Sequence, residues 1–123
     1  MASVVDGDTV VLADGERVRL LGVNAPEVRR RAGSRWVYAP QPGALAAMQF
    51  VRQHCEGRPA RVQLDPPPYR RRDKYARLLA YLACQQPDGR WVDVNLEIIR
   101  HGLAKADRSH AYERRREFVG LNE

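Results

Sequence analysis

The sequence predicts a small α+β domain with about five strands and about three helices. Runs of alternating apolar and polar residues indicate strands, other segments carry apolar residues at helical spacing, and Gly- and Pro-rich stretches separate them. A hairpin comes first, and a helix lies between the third and fourth strands. This order suits a small closed barrel, although composition alone does not select a barrel over an open sheet.

One domain is expected over residues 1–123, because the chain is long enough to bury one core and too short for two. The formal net charge of +6 favours a polyanionic partner, although anionic membrane surfaces would attract the same charge. No apolar run approaches the roughly 20 residues of a membrane-spanning helix. We therefore expect a monomer with nucleic acid, and no membrane, as its partner.

We expect no signal peptide, since Met1-Ala2-Ser3 leads almost directly into the first strand. A secreted or periplasmic location is favoured only if a leader has been removed from this chain. The compartment is otherwise left open.

Residues 4–12 and 17–21 predict a hairpin. The first stretch is mostly β-branched, the second alternates, and Asp14-Gly15 between them is a two-residue turn signal. Alternation along the second strand places Arg19 on the face opposite Val18. Taken alone, Arg19 is best explained as a solvated strand arginine.

Residues 28–43 predict a mobile excursion, because Arg, Gly and Pro recur there without periodicity. Its basic run Arg29-Arg30-Arg31 is either a solvated surface or, beside a phosphate site, a guide for nucleic acid. From Ala44, apolar residues at helical spacing predict a helix that ends before Gly57. The later elements are a strand over 60–64, an irregular Pro- and Arg-rich segment over 65–74, strands over 75–84 and 90–92, a helix from the N-cap Asp93 to 100, an extended piece over 103–106 and a basic helix over 110–119.

The two cysteines do not predict a metal site. Cys55 and Cys84 could form one disulfide, but two buried free thiols are the preferred interpretation. Neither belongs to a Cys-x-x-Cys pair, and no histidine cluster accompanies them, so zinc is not expected. No role is assigned to the three histidines, which are His54, His101 and His110.

Three short motifs carry the candidate chemistry. In chain order they are Asp6-Gly7-Asp8-Thr9, Arg19-Leu20-Leu21-Gly22-Val23-Asn24-Ala25-Pro26-Glu27 and Asp73-Lys74-Tyr75-Ala76-Arg77. A phosphodiester catalyst must neutralise the phosphate, activate a water and stabilise the charge of the transition state. Taken singly, Asp8 is an ordinary turn acid and Glu27 an exposed acid after a proline. Acids, arginines and an amide in this order instead favour such a site.

Taken together, the motifs resemble the signature of the staphylococcal nuclease family, which runs Asp-Gly-Asp-Thr, then Arg-Leu-(Leu/Ile)-x-(Val/Ile)-Asp-(Thr/Ala)-Pro-Glu, then Asp-Lys-Tyr-Gly-Arg. The resemblance extends from about Val4 to about Lys105. It implies a five-stranded OB-fold β-barrel with flanking helices. It also implies a Ca²⁺-dependent nuclease that hydrolyses DNA and RNA with little sequence preference and leaves 3′-phosphates.

The resemblance assigns the metal ligands and the base. Asp8, Asn24 and the backbone carbonyl of Ala25 would hold Ca²⁺, which prefers hard oxygen ligands. Glu27 would orient or deprotonate the attacking water. Asn24 stands where the family has an aspartate, so it keeps an oxygen but removes a negative charge, which weakens metal binding. Ala25 stands where threonine is common in the family.

The resemblance also assigns the substrate contacts. Arg19 and Arg77 would each pair two phosphate oxygens through a planar guanidinium, and Arg77 would also stabilise the departing oxygen. Lys74 and Tyr75 would contact the terminal phosphate or the sugar, although a ring of Tyr75 packed into the barrel is an equal alternative. Ala76 replaces a family glycine, which predicts ordinary strand angles at this position.

The base-binding end departs from the family. Aromatic residues commonly follow the position of Lys105, whereas this chain has Asp107-Arg108-Ser109-His110. Tyr112 would take their place only after a shift. The preference between DNA and RNA is therefore left open.

Two other functions compete with hydrolysis. A nuclease-like OB-fold module could bind nucleic acid without cleaving it, and a basic protein-interaction module would explain the charge. Retention of Arg19, Glu27 and Arg77 favours hydrolysis, because a binding module does not need all three. Asn24 is the feature that favours the non-cleaving module, and the interaction module leaves the ordered acids unexplained.

Overall fold

The computed structural model describes residues 3–122, with the backbone alone described at Arg30. The expectation that Met1 and Ala2 lead almost directly into the first strand lies outside the described residues. The elements in chain order are β1 (Ser3–Asp6), β2 (Thr9–Val11), β3 (Arg17–Leu20), β4 (Val23–Asn24), β5 (Arg29–Ala32), β6 (Arg35–Tyr38), α1 (Ala44–Cys55), β7 (Ala60–Gln63), β8 (Leu78–Gln85), β9 (Trp91–Asp93), α2 (Val94–Arg100), β10 (Lys105–Ala106) and α3 (Arg115–Leu121). Within the described residues, no helix is long and apolar enough to cross a bilayer.

The main sheet has the strand order β1-β2-β3-β8-β7, and β9 pairs with β8. Neighbouring strands are antiparallel except β3 and β8, which are parallel. The short pairs β4–β10 and β5–β6 lie apart from this sheet. The predicted α+β class is therefore confirmed, with a five-strand path and three helices. Between residues 3 and 122 no ladder joins β1 to β7, so the hydrogen-bonded path is open, and most of β7 faces solvent.

The predicted first hairpin bends in its first strand, at Gly7-Asp8, and so divides into β1 and β2. A Cβ added at Gly7 would lie 2.7 Å from the Cβ of Ala47 in α1 and 2.9 Å from the Cβ of Ala25. Only glycine permits this close approach. The bend therefore places the Asp8 carboxylate beside the segment that follows β4.

A buried asparagine joins β8 to the chain that follows β3. The Asn95 side chain is fully buried at the start of α2, donates to the carbonyl oxygens of Leu21 (2.9 Å) and Ala80 (3.2 Å), and accepts from the backbone N–H of Leu82 (2.8 Å). A buried amide with satisfied donors and acceptors fixes the register of the elements that it joins. Around it the core is apolar, with Val10, Val18, Leu20, Ile98 and Phe118 fully buried.

Residues 28–43 are more regular than the sequence predicts. They contain the antiparallel hairpin β5–β6, whose turn holds Gly33 at φ 63°. Arginines dominate β5, so the apolar alternation that normally reveals a strand is absent. The predicted mobile excursion is replaced by a two-stranded ribbon.

Four further expectations are wrong. Cys55 and Cys84 form a disulfide instead of two free thiols, because α1 packs its last turn against β8 and brings their Cα atoms to 5.3 Å. The strand predicted from residue 75 begins at Leu78, because Ala76 adopts a left-handed conformation with φ 63°. The ordinary strand angles expected at Ala76 are thus not found. The C-terminal helix also begins later than predicted, at Arg115.

Candidate active site

Two cavities meet at Arg77 and Tyr75. The first, here the Arg19 cavity, has a volume of about 300 Å³ and is also lined by Arg19, Asn24, Lys74 and His110. The second, here the Glu27 cavity, has a volume of about 270 Å³ and is also lined by Asp6, Arg17, Glu27, Arg29 and Trp36. Since Arg77 and Tyr75 line both, one guanidinium and one ring are shared between the two spaces.

Asp8 is a buried carboxylate that neighbouring groups hold in place. Its side chain lies at the bend between β1 and β2 and is only 7% exposed. Oδ1 accepts a hydrogen bond from the Thr9 hydroxyl at 3.0 Å, and Oδ2 accepts one from the backbone N–H of Ala25 at 3.0 Å. Oδ2 also lies 3.6 Å from Nη2 of Arg19. The carboxylate therefore faces donors on both oxygens.

Arg19 projects from the face of β3 opposite Val18, as the alternation predicts. Its Nη1 donates to the carbonyl oxygens of Leu20 and Val23, and its Nη2 donates to Oδ1 of Asn24 at 2.9 Å. These contacts fix the plane of the guanidinium before any substrate arrives. The side chain remains 20% exposed and lines the Arg19 cavity.

Arg77 is fixed from the other side by Asp73 and Thr9. Its Nε donates to Oδ2 of Asp73 at 2.7 Å, and its Nη1 donates to the Thr9 hydroxyl at 3.2 Å. Because the same hydroxyl donates to Asp8, one continuous network runs from Arg77 through Thr9 and Asp8 to Arg19. Such a network couples the two guanidiniums to one buried carboxylate.

The turn before β8 explains the position of Arg77. Oδ1 of Asp73 accepts from the backbone N–H groups of Tyr75 (2.9 Å) and Arg77 (3.0 Å), an aspartate turn that carries Ala76 through the left-handed region. Burial raises the pKa of Asp73, but these N–H groups and the Arg77 guanidinium outweigh it, so the pKa lies below its usual value. Asp73 is thus an ionised anchor for Arg77.

Glu27 stands at the base of the β5–β6 hairpin, where its backbone is fixed. Its N–H donates to Oε1 of Gln41 at 2.8 Å, and its carbonyl accepts from the N–H of Gln41 at 2.9 Å. The next residue, Val28, donates its N–H to Oδ1 of Asp6 at 2.8 Å. The exposed Glu27 side chain therefore enters the Glu27 cavity from an ordered base.

Asp6 is an acid of the first motif to which the sequence assigns no role. Burial raises its pKa, a hydrogen bond from Val28 opposes this, and the negative charge of Asp8 raises the pKa further. A divalent cation relieves such repulsion between neighbouring carboxylates. No group of three or more His, Cys, Asp or Glu side chains arranged for a metal occurs among residues 3–122. The donor chemistry fits a hard cation held by a few protein oxygens and water.

The base-binding end differs from the sequence analysis at Tyr112 and His110. Tyr112 is buried, with its hydroxyl donating to the Asp107 carbonyl, and burial together with Asp107 raises its pKa to about 12. Its ring packs where a Cβ of Gly22 would lie, so Tyr112 is not available to stack on a base. His110, which was assigned no role, lines the Arg19 cavity and contacts Oδ2 of Asp107 at 2.8 Å. His110 is distant along the chain from the three motifs, so its place in this cavity could not be read from the sequence.

The structure gathers the residues that the motifs single out. Arg19, Asn24, Lys74, Tyr75 and Arg77 line the Arg19 cavity, Glu27 lines the Glu27 cavity, and Asp8 and Ala25 are joined by a hydrogen bond. The Tyr75 ring is 55% exposed, so its packing into a barrel interior is excluded. These features define a basic α+β domain in which paired arginines and buried carboxylates surround a shared cleft.

Comparison with known proteins identifies the family. A family model described as "Staphylococcal nuclease homologue" matches residues 17–122, and the chain belongs to this family. A thermonuclease of Staphylococcus intermedius is 35% identical over 109 residues, which are 84% of this chain and 55% of that protein. An uncharacterised protein of Methanocaldococcus jannaschii is 27% identical over 135 residues, which cover 98% of this chain and 64% of that protein.

The comparisons confirm the resemblance inferred from the three motifs and place the chain in a nuclease family. The family match includes Arg19, Asn24, Glu27 and Arg77, whereas Asp6 and Asp8 precede it. The chain spans between 55% and 64% of the length of the two relatives.

Proposed function

We propose that this chain is a Ca²⁺-dependent nuclease. It hydrolyses phosphodiester bonds of DNA and RNA with low sequence specificity, acts as a monomer and leaves 3′-phosphates. One observation carries this proposal: Arg77 lines both the cavity that contains Arg19 and the cavity that contains Glu27. A phosphate bound by the two arginines would thus lie next to the carboxylate that must act on water.

Arg19 and Arg77 bind and polarise the scissile phosphate. Hydroxide attack on a phosphodiester is slow because its anionic oxygens repel the nucleophile, and two guanidiniums reduce that repulsion. Each planar guanidinium can pair two phosphate oxygens, which lysine cannot do. Their hydrogen bonds to Asn24, Asp73 and Thr9 support this role, because groups that are already oriented need no reorganisation in the transition state.

Glu27 orients the attacking water and accepts its proton. As the water oxygen bonds to phosphorus, the bond to the 5′ oxygen breaks, so the phosphate stays on the 3′ side. Arg77 stabilises the negative charge on the departing oxygen. The fixed backbone of Glu27 supports this assignment, since a base must stay within reach of the proton that it removes.

Asp8, Asn24 and the carbonyl of Ala25 would hold Ca²⁺, and we add Asp6 as a neighbouring carboxylate. The ion supplies neutralising charge at the phosphate and favours ionisation of water. Asn24 provides oxygen without charge, so the site binds the ion less tightly than one with an aspartate there. The influence of the Asp8 charge on the pKa of Asp6 indicates that the two carboxylates lie close together.

Lys74, Tyr75 and His110 would contact the nucleotide beside the scissile bond. All three line the Arg19 cavity, and the Lys74 ammonium lies 5.2 Å from the centre of the Tyr75 ring. An ammonium suits a terminal phosphate, whereas a ring suits a sugar or base. His110 belongs to segment 107–110, where the family commonly has aromatic residues for the base.

Digestion of plasmid DNA, single-stranded DNA and RNA with Ca²⁺, and again with excess chelator, tests the proposal. We expect cleavage with Ca²⁺ alone and 3′-phosphate ends on the products. Glu27→Gln and Arg77→Ala should each reduce kcat by roughly 10²-fold or more and should reduce DNA affinity far less, because both residues act mainly on the transition state. Arg90→Ala, which removes an exposed arginine of the turn before β9, is the matched control. Binding without cleavage under every condition would refute hydrolysis in favour of a non-cleaving module.

A further inference from the structure

The β5–β6 hairpin carries two arginines and two aromatic rings on one face. The strand register pairs Arg29 with Tyr38 and Arg31 with Trp36. Opposite residues of an antiparallel pair share a face, and so do residues two apart along a strand. All four side chains therefore lie on the same face, and all four are exposed, with Trp36 at 55% and Tyr38 at 69%.

These rings contribute little to the apolar core. Both rings leave most of their surface in water, so they remove little apolar area from solvent. Among the described residues, the exposed large aromatic side chains are Trp36, Tyr38 and Tyr75. Two of them, Trp36 and Tyr75, line the Glu27 cavity. Such a concentration of exposed rings beside one cleft indicates a contact surface.

The hairpin face is continuous with the site. Arg29 and Trp36 line the Glu27 cavity together with Glu27 and Arg77. The hairpin base is fixed, because Val28 accepts from the N–H of Ala39 at 3.1 Å and donates its own N–H to Asp6. A strand of nucleic acid that leaves the scissile position on the Glu27 side would meet this face next.

The chemistry of the face selects the occupant. Arginines pair with phosphates. The Arg31 guanidinium lies 5.4 Å from the centre of the Trp36 ring, so a positive charge and an aromatic ring stand side by side on this face. Rings stack on the flat faces of bases, which a duplex hides and an unpaired strand exposes. The net charge of +6 fits the same polyanion.

We propose that Arg29, Arg31, Trp36 and Tyr38 form a binding surface for unpaired nucleotides that flank the scissile phosphate. Bases stack on the two rings, and the arginines contact the phosphates between them. The inference deepens the proposed function and rests on it, because the proposed position of the scissile phosphate beside Glu27 directs the nucleic-acid strand towards the hairpin.

Tryptophan fluorescence tests the contact without cleavage. The chain has two tryptophans, so Trp91→Phe leaves Trp36 as the reporter, and Trp36→Phe leaves Trp91, which packs under Arg61 at 3.9 Å, as the matched control. With excess chelator and an oligothymidylate of about eight nucleotides, we expect quenching of Trp36 emission and unchanged Trp91 emission. Oligonucleotide binding detected by anisotropy without any change at Trp36 would overturn the proposal. So would quenching by an acidic peptide or anionic vesicles but not by the oligonucleotide.

A double substitution tests the energetic contribution of the surface. Trp36→Ala with Tyr38→Ala should weaken oligothymidylate binding by about 5-fold to 100-fold per ring, and should weaken duplex binding much less. For cleavage of a single strand, KM should rise more than kcat falls. The control, Leu45→Ala, removes an exposed apolar side chain of α1 and should change neither value. Equal losses on single strands and duplexes, or no loss, would refute the proposal, and neither result depends on whether the protein cleaves.

Discussion

Replacing Thr9 by valine should break the hydrogen-bond network that joins the guanidiniums of Arg77 and Arg19 through Asp8. The Thr9 hydroxyl donates to Oδ1 of Asp8 at 3.0 Å and accepts from Nη1 of Arg77 at 3.2 Å, and the residue is only 5% exposed. Valine keeps the volume and the β-branched shape that suit β2 but has neither donor nor acceptor. The substitution therefore removes the two hydrogen bonds with little change in packing.

The expected cost follows from the two contacts. A hydrogen bond to a charged group contributes about 1.5–3 kcal/mol, and the bond to buried Asp8 belongs to this class. The bond to Arg77 is longer and partly exposed to water, so we count it as a small addition. A loss of about 2 kcal/mol corresponds to a fall of roughly 6–8 °C in Tm for a domain of this size. Looser positioning of Arg77 should also reduce kcat by about tenfold, or about 1.4 kcal/mol.

Thermal unfolding by circular dichroism and steady-state cleavage measure both effects. Thr9→Ser, which keeps the hydroxyl, is the control and should recover most of the activity. If Thr9→Val and Thr9→Ser had equal Tm and equal kcat, the hydroxyl would not connect Asp8 to Arg77, and the reasoning would be refuted.

Three further substitutions test other parts of the site. Ala76→Gly should stabilise the fold by roughly 0.5–1 kcal/mol in urea unfolding, because φ is 63° at this position; unchanged stability would contradict the left-handed turn. Asn24→Asp should lower the Ca²⁺ concentration for half-maximal cleavage by roughly tenfold, since it restores a ligand charge; an unchanged Ca²⁺ requirement would argue against Asn24 as a ligand. The lowered pKa of Asp73 contributes stability above its unfolded value of about 3.8, which is lost as pH falls through the folded pKa. Asp73→Asn should therefore unfold with a weaker dependence on pH below that value, and equal acid profiles in urea titrations would show that Asp73 is not the anchor.

Local patterns predicted most of the regular elements. Helix α1 shows apolar spacing and is followed by Gly57, α2 has its N-cap at Asp93, and the first hairpin has a two-residue turn signal. In each case the deciding interaction lies within a few residues of the element. The fold class and the family could therefore be inferred from sequence alone.

Features that no residue pattern marks were not predictable in the same way. The left-handed turn at Ala76 depends on hydrogen bonds from the backbone to Asp73, and alanine gives no sign of it. The β5–β6 hairpin pairs arginines with aromatic rings, so neither strand shows apolar alternation. Asp6 meets Val28, which lies 22 residues later, and His110 reaches the Arg19 cavity from outside the three motifs, so neither place could be read from local sequence.

The disulfide between Cys55 and Cys84 links the last turn of α1 to β8, the strand that follows the Arg77 turn. The two cysteines are 29 residues apart, and closing such a loop lowers the entropy of the unfolded chain by the equivalent of about 3–4 kcal/mol. Domains of this size have about 5–15 kcal/mol of net stability in total. A thiol reductant should therefore act on this chain as a denaturant does, shifting the folding equilibrium while the chemistry of the cleft stays intact.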